Sequence, residues 1–225
     1  MTIPRHFCWS RFGTEAGEPI EHILDRKENE RQRNSGLFLW GIGNAISPSM
    51  RELIRVERTP EVIFSPIRSA PRVEDVRPSA IVTWTSGRDL DGAPWQLPEW
   101  SVVTSRAGES RRQLRHYALV CFSEFPLKIA SNTDAVAIGS LENLVTSNRI
   151  GASQVTAVVR YRSDLPSVGP YYSAAFRARL VAPYLVQLCD PQPAVDDLMK
   201  SHSRGTDERR GHDARQYTTP DRCRA

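Results

Sequence analysis

The chain is poor in lysine and cysteine and has no long apolar run. Only Lys27, Lys128 and Lys200 are lysines, so arginine supplies nearly all of the 30 basic residues. A guanidinium fork suits carboxylates and phosphates better than an ammonium does. With 26 acidic residues interspersed, the net charge is only +4. That balance permits an anionic partner without requiring one. The four cysteines, Cys8, Cys121, Cys189 and Cys223, are scattered. None pairs at a zinc-ribbon or thioredoxin spacing, and three sit in apolar stretches, where a free thiol behaves as a small hydrophobe. Reduced thiols and a cytoplasmic location are expected. No apolar run approaches the ~20 residues that span a bilayer, so no membrane partner is expected. The segment Met1 to Trp9 lacks a basic region followed by an apolar stretch and a cleavage site, and does not read as a secretory signal.

Catalytic signatures are also missing. There is no Gly-x-Ser-x-Gly elbow, no His-Glu-x-x-His and no phosphate loop ending in Gly-Lys-Ser/Thr. Gly41-Ile-Gly43 matches the first half of a dinucleotide fingerprint, but Ser47-Pro48 occupies the place of the third glycine and its helix. The five histidines show no ligand spacing, so neither metal nor cofactor is expected. His116, before a strand, and Glu15, Glu18 and Glu28 are the candidate proton carriers for an enzyme. A chain without an assembled nucleophile and base reads more readily as a binding module.

What is present is a soluble, globular composition: 40% apolar and 25% charged residues over 225 positions. That length suits one domain over residues 1–193 and a polar tail over 194–225, which is expected to be disordered because it buries too little to offset ordering entropy. Glu18-Pro19 opens a helix whose apolar positions are Ile20, Ile23 and Leu24, and Asn34-Ser-Gly36 stops it. Ser47-Pro48 opens a second, running to Arg55. Strands are expected near Phe7–Trp9, Leu37–Trp40, Glu61–Ser65, Ser79–Thr85, His116–Ser123, Gln154–Arg160 and Ser173–Val181. Pro183 should end the last of these, with a separate strand over Tyr184–Leu188. Gly87–Trp100 reads as a hairpin or irregular loop, and Leu141–Asn148 as a helical turn. About eight short strands and two helices argue for an α+β fold: a small, curved mixed β-sheet or barrel with helices at the rim.

The stretch Gly36-Leu-Phe-Leu-Trp-Gly-Ile-Gly-Asn44 is the most informative. A strand ends in a large flat ring and then in backbone with almost no side-chain cover. Trp9, followed by Ser10-Arg-Phe-Gly13, repeats the theme. An aromatic face beside an arginine and bare amides is how a protein holds an unstacked base. Trp9 and Trp40 can equally be core rings, since Trp is highly buried on average. The candidate ligand-binding set is Trp9, Ser10, Arg11, Trp40, Asn44, Arg68 and Arg106. Ser10-Arg11, Arg68-Ser69 and Ser105-Arg106 each follow a strand end, and with Arg160 and Arg162 they could line a phosphate-binding rim.

The order of an N-terminal strand with Trp9, a helix, the Trp40 strand, several short strands and a long late strand near Phe176 resembles the PUA-like superfamily. Within it the EVE and ASCH domains are similar in size. Phe7-Cys-Trp-Ser-Arg11 stands where EVE domains open on a Trp-Leu-Val-Lys-Ser-Glu-Pro-like strand. The likeness extends over about residues 3 to 192 without a residue-by-residue signature, so no family site is carried over. It implies a curved sheet with an aromatic pocket that reads RNA or a modified DNA base. The expected partner is DNA or RNA, or a free nucleotide. The alternatives are an enzyme acting on a nucleotide or modified base, and a protein-interaction domain docking through Trp95 and Trp100.

Overall fold

The computed structural model describes residues 3–13, 19–67, 81–98, 101, 103–104, 117–129, 135–165 and 169–193. The expected tail over 194–225, together with Glu15, Glu18, Arg68, Trp100, Arg106 and His116, lies outside them.

The described residues hold two α-helices and twelve strands, where about eight strands were expected. Strand β1 (His6–Phe12) leads into helix α1 (Ile20–Arg33), strand β2 (Leu37–Ile42), helix α2 (Ser47–Val56) and strand β3 (Glu61–Pro66). Then come β4 (Ile81–Arg88), β5 (Pro94–Gln96), β6 (Val103–Thr104), β7 (Tyr117–Phe122), β8 (Ala135–Ala137) and β9 (Leu141–Asn143). The series ends with β10 (Thr156–Tyr161), β11 (Tyr171–Ser173) and β12 (Phe176–Pro193).

Helix α1 starts after Pro19, whose extended backbone opens it, and carries Glu21 in its first turn and Arg31 and Arg33 in its last, the signs its dipole favours. It stops where Ser35 and Gly36 turn to positive φ and the Gly36 N–H returns to the Arg31 carbonyl. A side chain at Gly36 would also meet Phe122, with Cε2 only 2.6 Å from an added Cβ. Glycine is therefore required there for space as well as for conformation.

Ten strands form one mixed sheet whose main path is β2-β7-β12-β3-β1-β10-β9, with β4, β5 and β6 branching from β12. β11 and β8 form a separate pair. Only β1 and β3 run parallel; the other ladders among the described residues are antiparallel. The path has two open ends, so the fold is α+β with a mixed sheet and no closed barrel. β12 crosses Pro183 where a separate strand was expected. Its register to β7 shifts between Leu180 and Leu185, and the proline sits inside that bulge, where its missing N–H removes no ladder bond. Leu141–Asn143 is a strand, not part of a helical turn, because it pairs with β10.

Alternation along the strands sorts the core by face. Cys8, Phe12, Phe38, Trp40, Phe64 and Phe176 lie on one face, under Ile23 and Leu24 of α1 and Met50 and Leu53 of α2. Phe7, Trp9 and Ile63 lie on the other, covered by Val136, Ile138 and Leu141. Further along that second face Trp84 and Leu97 cover Leu39, Val120 and Val186. Helix α1 also buries charge: the Lys27 Nζ donates to Glu30 Oε1 at 2.6 Å, and the Leu39 N–H donates to Glu30 Oε2. Burial pushes the Glu30 carboxyl above its usual range, and Lys27 opposes that shift.

Candidate functional site

The two rings expected to wall a pocket do not share one. Trp9 is fully buried and its Nε1–H donates to Ser65 Oγ at 3.0 Å. Trp40 is 5% exposed on the opposite face of the sheet, 4.6 Å from Phe64 and edge-on to Phe12 and Phe176. Each ring is core, and the sheet itself separates them. Of the other members, Ser10, Arg11 and Asn44 are described, and each is tied within the fold. Ser10 is buried with its Oγ 3.3 Å from Thr156 Oγ1, and the Asn44 Nδ2–H donates to the Thr156 carbonyl. Arg11 lies 4.4 Å over the Tyr172 ring and 5.9 Å over Trp9, and its Nη1 donates to the Ala152 carbonyl. Trp95 is half-buried against the Trp84 and Leu97 cluster.

A concave site forms instead at the far end of the β1–β10 ladder. There the segment before β1 meets the end of β10: the Tyr161 N–H donates to the Arg5 carbonyl, just beyond the His6–Arg160 pair. The open groove has a volume of about 630 Å³ and is lined by Ile3, Arg5, Arg160, Tyr161, Arg162, Ser163 and Asp164. Ligand sites usually fall between about 300 and 1,000 Å³, so a nucleotide-sized molecule fits. A second cavity, beside Ser47, Arg88, Asp89 and Tyr117, measures about 150 Å³ and is too small by the same standard.

Three arginines line the groove and are held differently. Arg162 is committed. Its Nε and Nη2 form a fork to Asp164 at 2.8 and 2.6 Å, and its Nη1 donates to Glu142 at 3.2 Å. That fork brings the Asp164 carboxyl down to about 2, and Arg5 adds a smaller field. The side chains of Arg5 and Arg160 make no hydrogen bond or ion pair among the described residues. The Arg160 Nε–H is sealed from water and has no acceptor. An unmet buried donor costs about 1–3 kcal/mol. Beside Arg160, His6 Nδ1 sits 2.8 Å from Glu57 Oε1, which ties β1 to the end of α2. On α2, hydrogen bonds from Arg55 hold the Glu52 carboxyl below its usual range, and the fields of Arg160 and His6 add to this.

Of the groove residues, Arg160 and Arg162 are legible as a phosphate rim from the sequence alone. Arg5 and Tyr161 are not, because their proximity depends on strand pairing across the length of the chain. Pro4 biases Ile3, the residue before it, towards extended backbone, but gives no signal for Arg5 itself.

The described candidates for acid–base or nucleophilic work are spoken for. Glu28 accepts from Arg31, Gln32 and the Leu127 N–H, and the Arg31 contact above all brings its carboxyl down to about 2. Burial pushes the Cys8 and Cys121 thiols far up, away from the reactive thiolate. No helix among the described residues is long and apolar enough to cross a membrane. Comparison with protein-family models, with curated proteins and with solved structures found no match for the chain.

Proposed function

We propose that the protein is a binding module for a nucleotide or a nucleic-acid strand, and that it holds a phosphate of that ligand in the groove at Arg5 and Arg160. One observation carries this reading: two arginines whose side chains have no acceptor among the described residues line a cavity of nucleotide size, beside a third whose donors are already used. An uncommitted guanidinium meets an incoming phosphate without first breaking an ion pair, and its planar fork matches phosphate oxygens. Tyr161 lines the same groove and offers an aromatic surface for a base. The PUA-like reading of the sheet and a cytoplasmic setting belong to the same proposal. The support for the sheet reading is the mixed sheet with helices on one face.

The test is titration of the full chain with a fluorescently labelled oligonucleotide and with a free nucleotide at low salt. Binding that falls at least about tenfold in an Arg5→Gln, Arg160→Gln double variant is expected, since charged hydrogen bonds are worth about 1.5–3 kcal/mol each. Undiminished binding by that variant, or no binding of either probe by the unaltered chain, overturns the proposal.

A further inference from the structure

We infer that the ligand is a single-stranded nucleic acid, and that it crosses from the groove onto an open row of the sheet where Arg179 sits on Phe122. This rests on the groove reading above and extends it from one nucleotide to several.

Register lays out the row. Leu37, Phe122, Arg179 and Glu61 stand directly opposite one another across β2, β7, β12 and β3. They share the face of Leu39 and Ile63, two residues on from Leu37 and Glu61. The clusters that cover this face elsewhere leave the row out: Arg179 is exposed, and the other three are half-buried. Its two arginines are held differently, as in the groove. The Arg177 Nη1 donates to Glu61 at 3.2 Å. The Arg179 guanidinium lies 4.6 Å over the Phe122 ring and makes no hydrogen bond or ion pair among the described residues. A guanidinium seated on a half-exposed ring gives a base a surface to stack on and a phosphate a fork. Three residues beyond Phe122, the turn in which the Phe125 N–H donates to Ser123 Oγ presents Phe125 with 75% of its surface exposed, a second ring for a base.

The row continues towards the groove. One position before the parallel Cys8–Val62 pair, Phe7 comes opposite Glu61. Arg5 follows two residues further out, where the Tyr161 N–H carries the β1–β10 ladder one step past His6 and Arg160. Alternation puts Arg5 on the face of Phe7 and Arg179. Strands about 4.8 Å apart, rising about 3.3 Å per residue, set the Arg5 and Arg179 backbones about 12 Å apart. A stacked nucleic-acid strand advances about 3.4 Å per nucleotide, so about four nucleotides bridge the two. The ligand is single-stranded because a duplex keeps its bases stacked on one another and offers these rings no free base face.

The experiment is isothermal titration calorimetry of the full chain with a length series. The probes are adenosine 5′-monophosphate, the 5′-phosphorylated tetranucleotide and octanucleotide of adenylate, and a stable blunt-ended duplex. Affinity is expected to rise about tenfold from the monophosphate to the tetranucleotide, the size of one stacked base, and to level off at the octanucleotide. Arg179→Gln should return the tetranucleotide to the affinity of the monophosphate, with monophosphate binding and thermal melting unchanged. Arg179→Lys, which keeps the charge and loses the planar fork, should lose most of the gain. A tetranucleotide no tighter than the monophosphate overturns the inference and leaves nucleotide binding at the groove standing. So does a gain with length that survives Arg179→Gln, or a duplex that binds as tightly as the tetranucleotide. Tetranucleotide binding that falls in Arg179→Gln but not in the Arg5→Gln, Arg160→Gln double variant overturns the groove and the path leading from it. No binding of any probe overturns both readings.

Discussion

Arg11 and Arg160 stand at opposite ends of the same β-ladder and are used in opposite ways. Arg11 is stacked on Tyr172 and bonded to the Ala152 carbonyl, at the end where Trp9 and Tyr172 pack ring against ring. Arg160 shares its end with Arg5 and a groove, and its side chain has no acceptor among the described residues, whereas Arg11 has one through Nη1 although its buried Nε, like that of Arg160, is unmet. Both are half-buried arginines in or beside a strand. Their neighbours separate them: a carbonyl and an aromatic face hold one, and the other lines a groove without an acceptor. An arginine already given a partner by its own fold is a strut, while one left without a partner is available to a ligand.

The comparison breaks most visibly if the packed end is not packed. Trp9→Ala removes a fully buried ring and leaves a buried Ser65 hydroxyl short of a partner. It should lower unfolding free energy by about 3–5 kcal/mol in urea denaturation. Trp40→Ala on the other face should cost a similar amount. A Trp40→Ala protein of unchanged stability would mean that the ring is not core.

A smaller effect tests an arginine–carboxylate pair away from the groove. Arg31 brings the Glu28 carboxyl from the ordinary 4.5 to about 2. The folded value is the depressed one, so this contribution is complete above pH 4.5 and disappears as pH falls through about 2. Glu28→Gln should be less stable than the unaltered chain at pH 6, and the two should converge near pH 2. Parallel stability curves over that range would remove Glu28 from the account.

Smaller again is Arg11→Ala, expected to cost about 1–2 kcal/mol through the lost stack and hydrogen bond. Smallest is Arg160→Gln, expected to leave stability unchanged or raise it, because the change removes a buried donor that has no acceptor, while weakening phosphate binding. If Arg160→Gln destabilises the fold as much as Arg11→Ala does, the two ends do not differ in kind, and the groove loses its claim.

Local signals carried much of the fold. Pro19, the spacing of Ile20, Ile23 and Leu24, and Gly36 set out α1, and Ser47-Pro48 set out α2, because caps and apolar periodicity act within a few residues. Strands β1, β2, β3, β4, β7, β10 and the first part of β12 were legible from β-branched, aromatic or alternating runs. The rest needed partners far along the chain. Leu141–Asn143 is a strand only because β10 lies beside it, and Pro183 is tolerated only because a bulge receives it. The site was harder for the same reason. Trp9 and Trp40 share a sequence context, a strand end near glycine and a polar residue, yet alternation sends them to opposite faces, each under its own cover. Arg5 looked like an ordinary residue before a strand until Tyr161 paired with it.

Strand β12 carries a consequence for how the molecule is made. It is flanked by β3, β7 and β4, and it follows all three in the chain. A ribosome adding about 5–20 residues per second needs on the order of ten seconds to pass from β3 to the end of β12. For that interval the nascent sheet exposes raw edges that invite pairing with other chains. Biogenesis of this protein should therefore lean on chaperones that shield those edges until the keystone emerges.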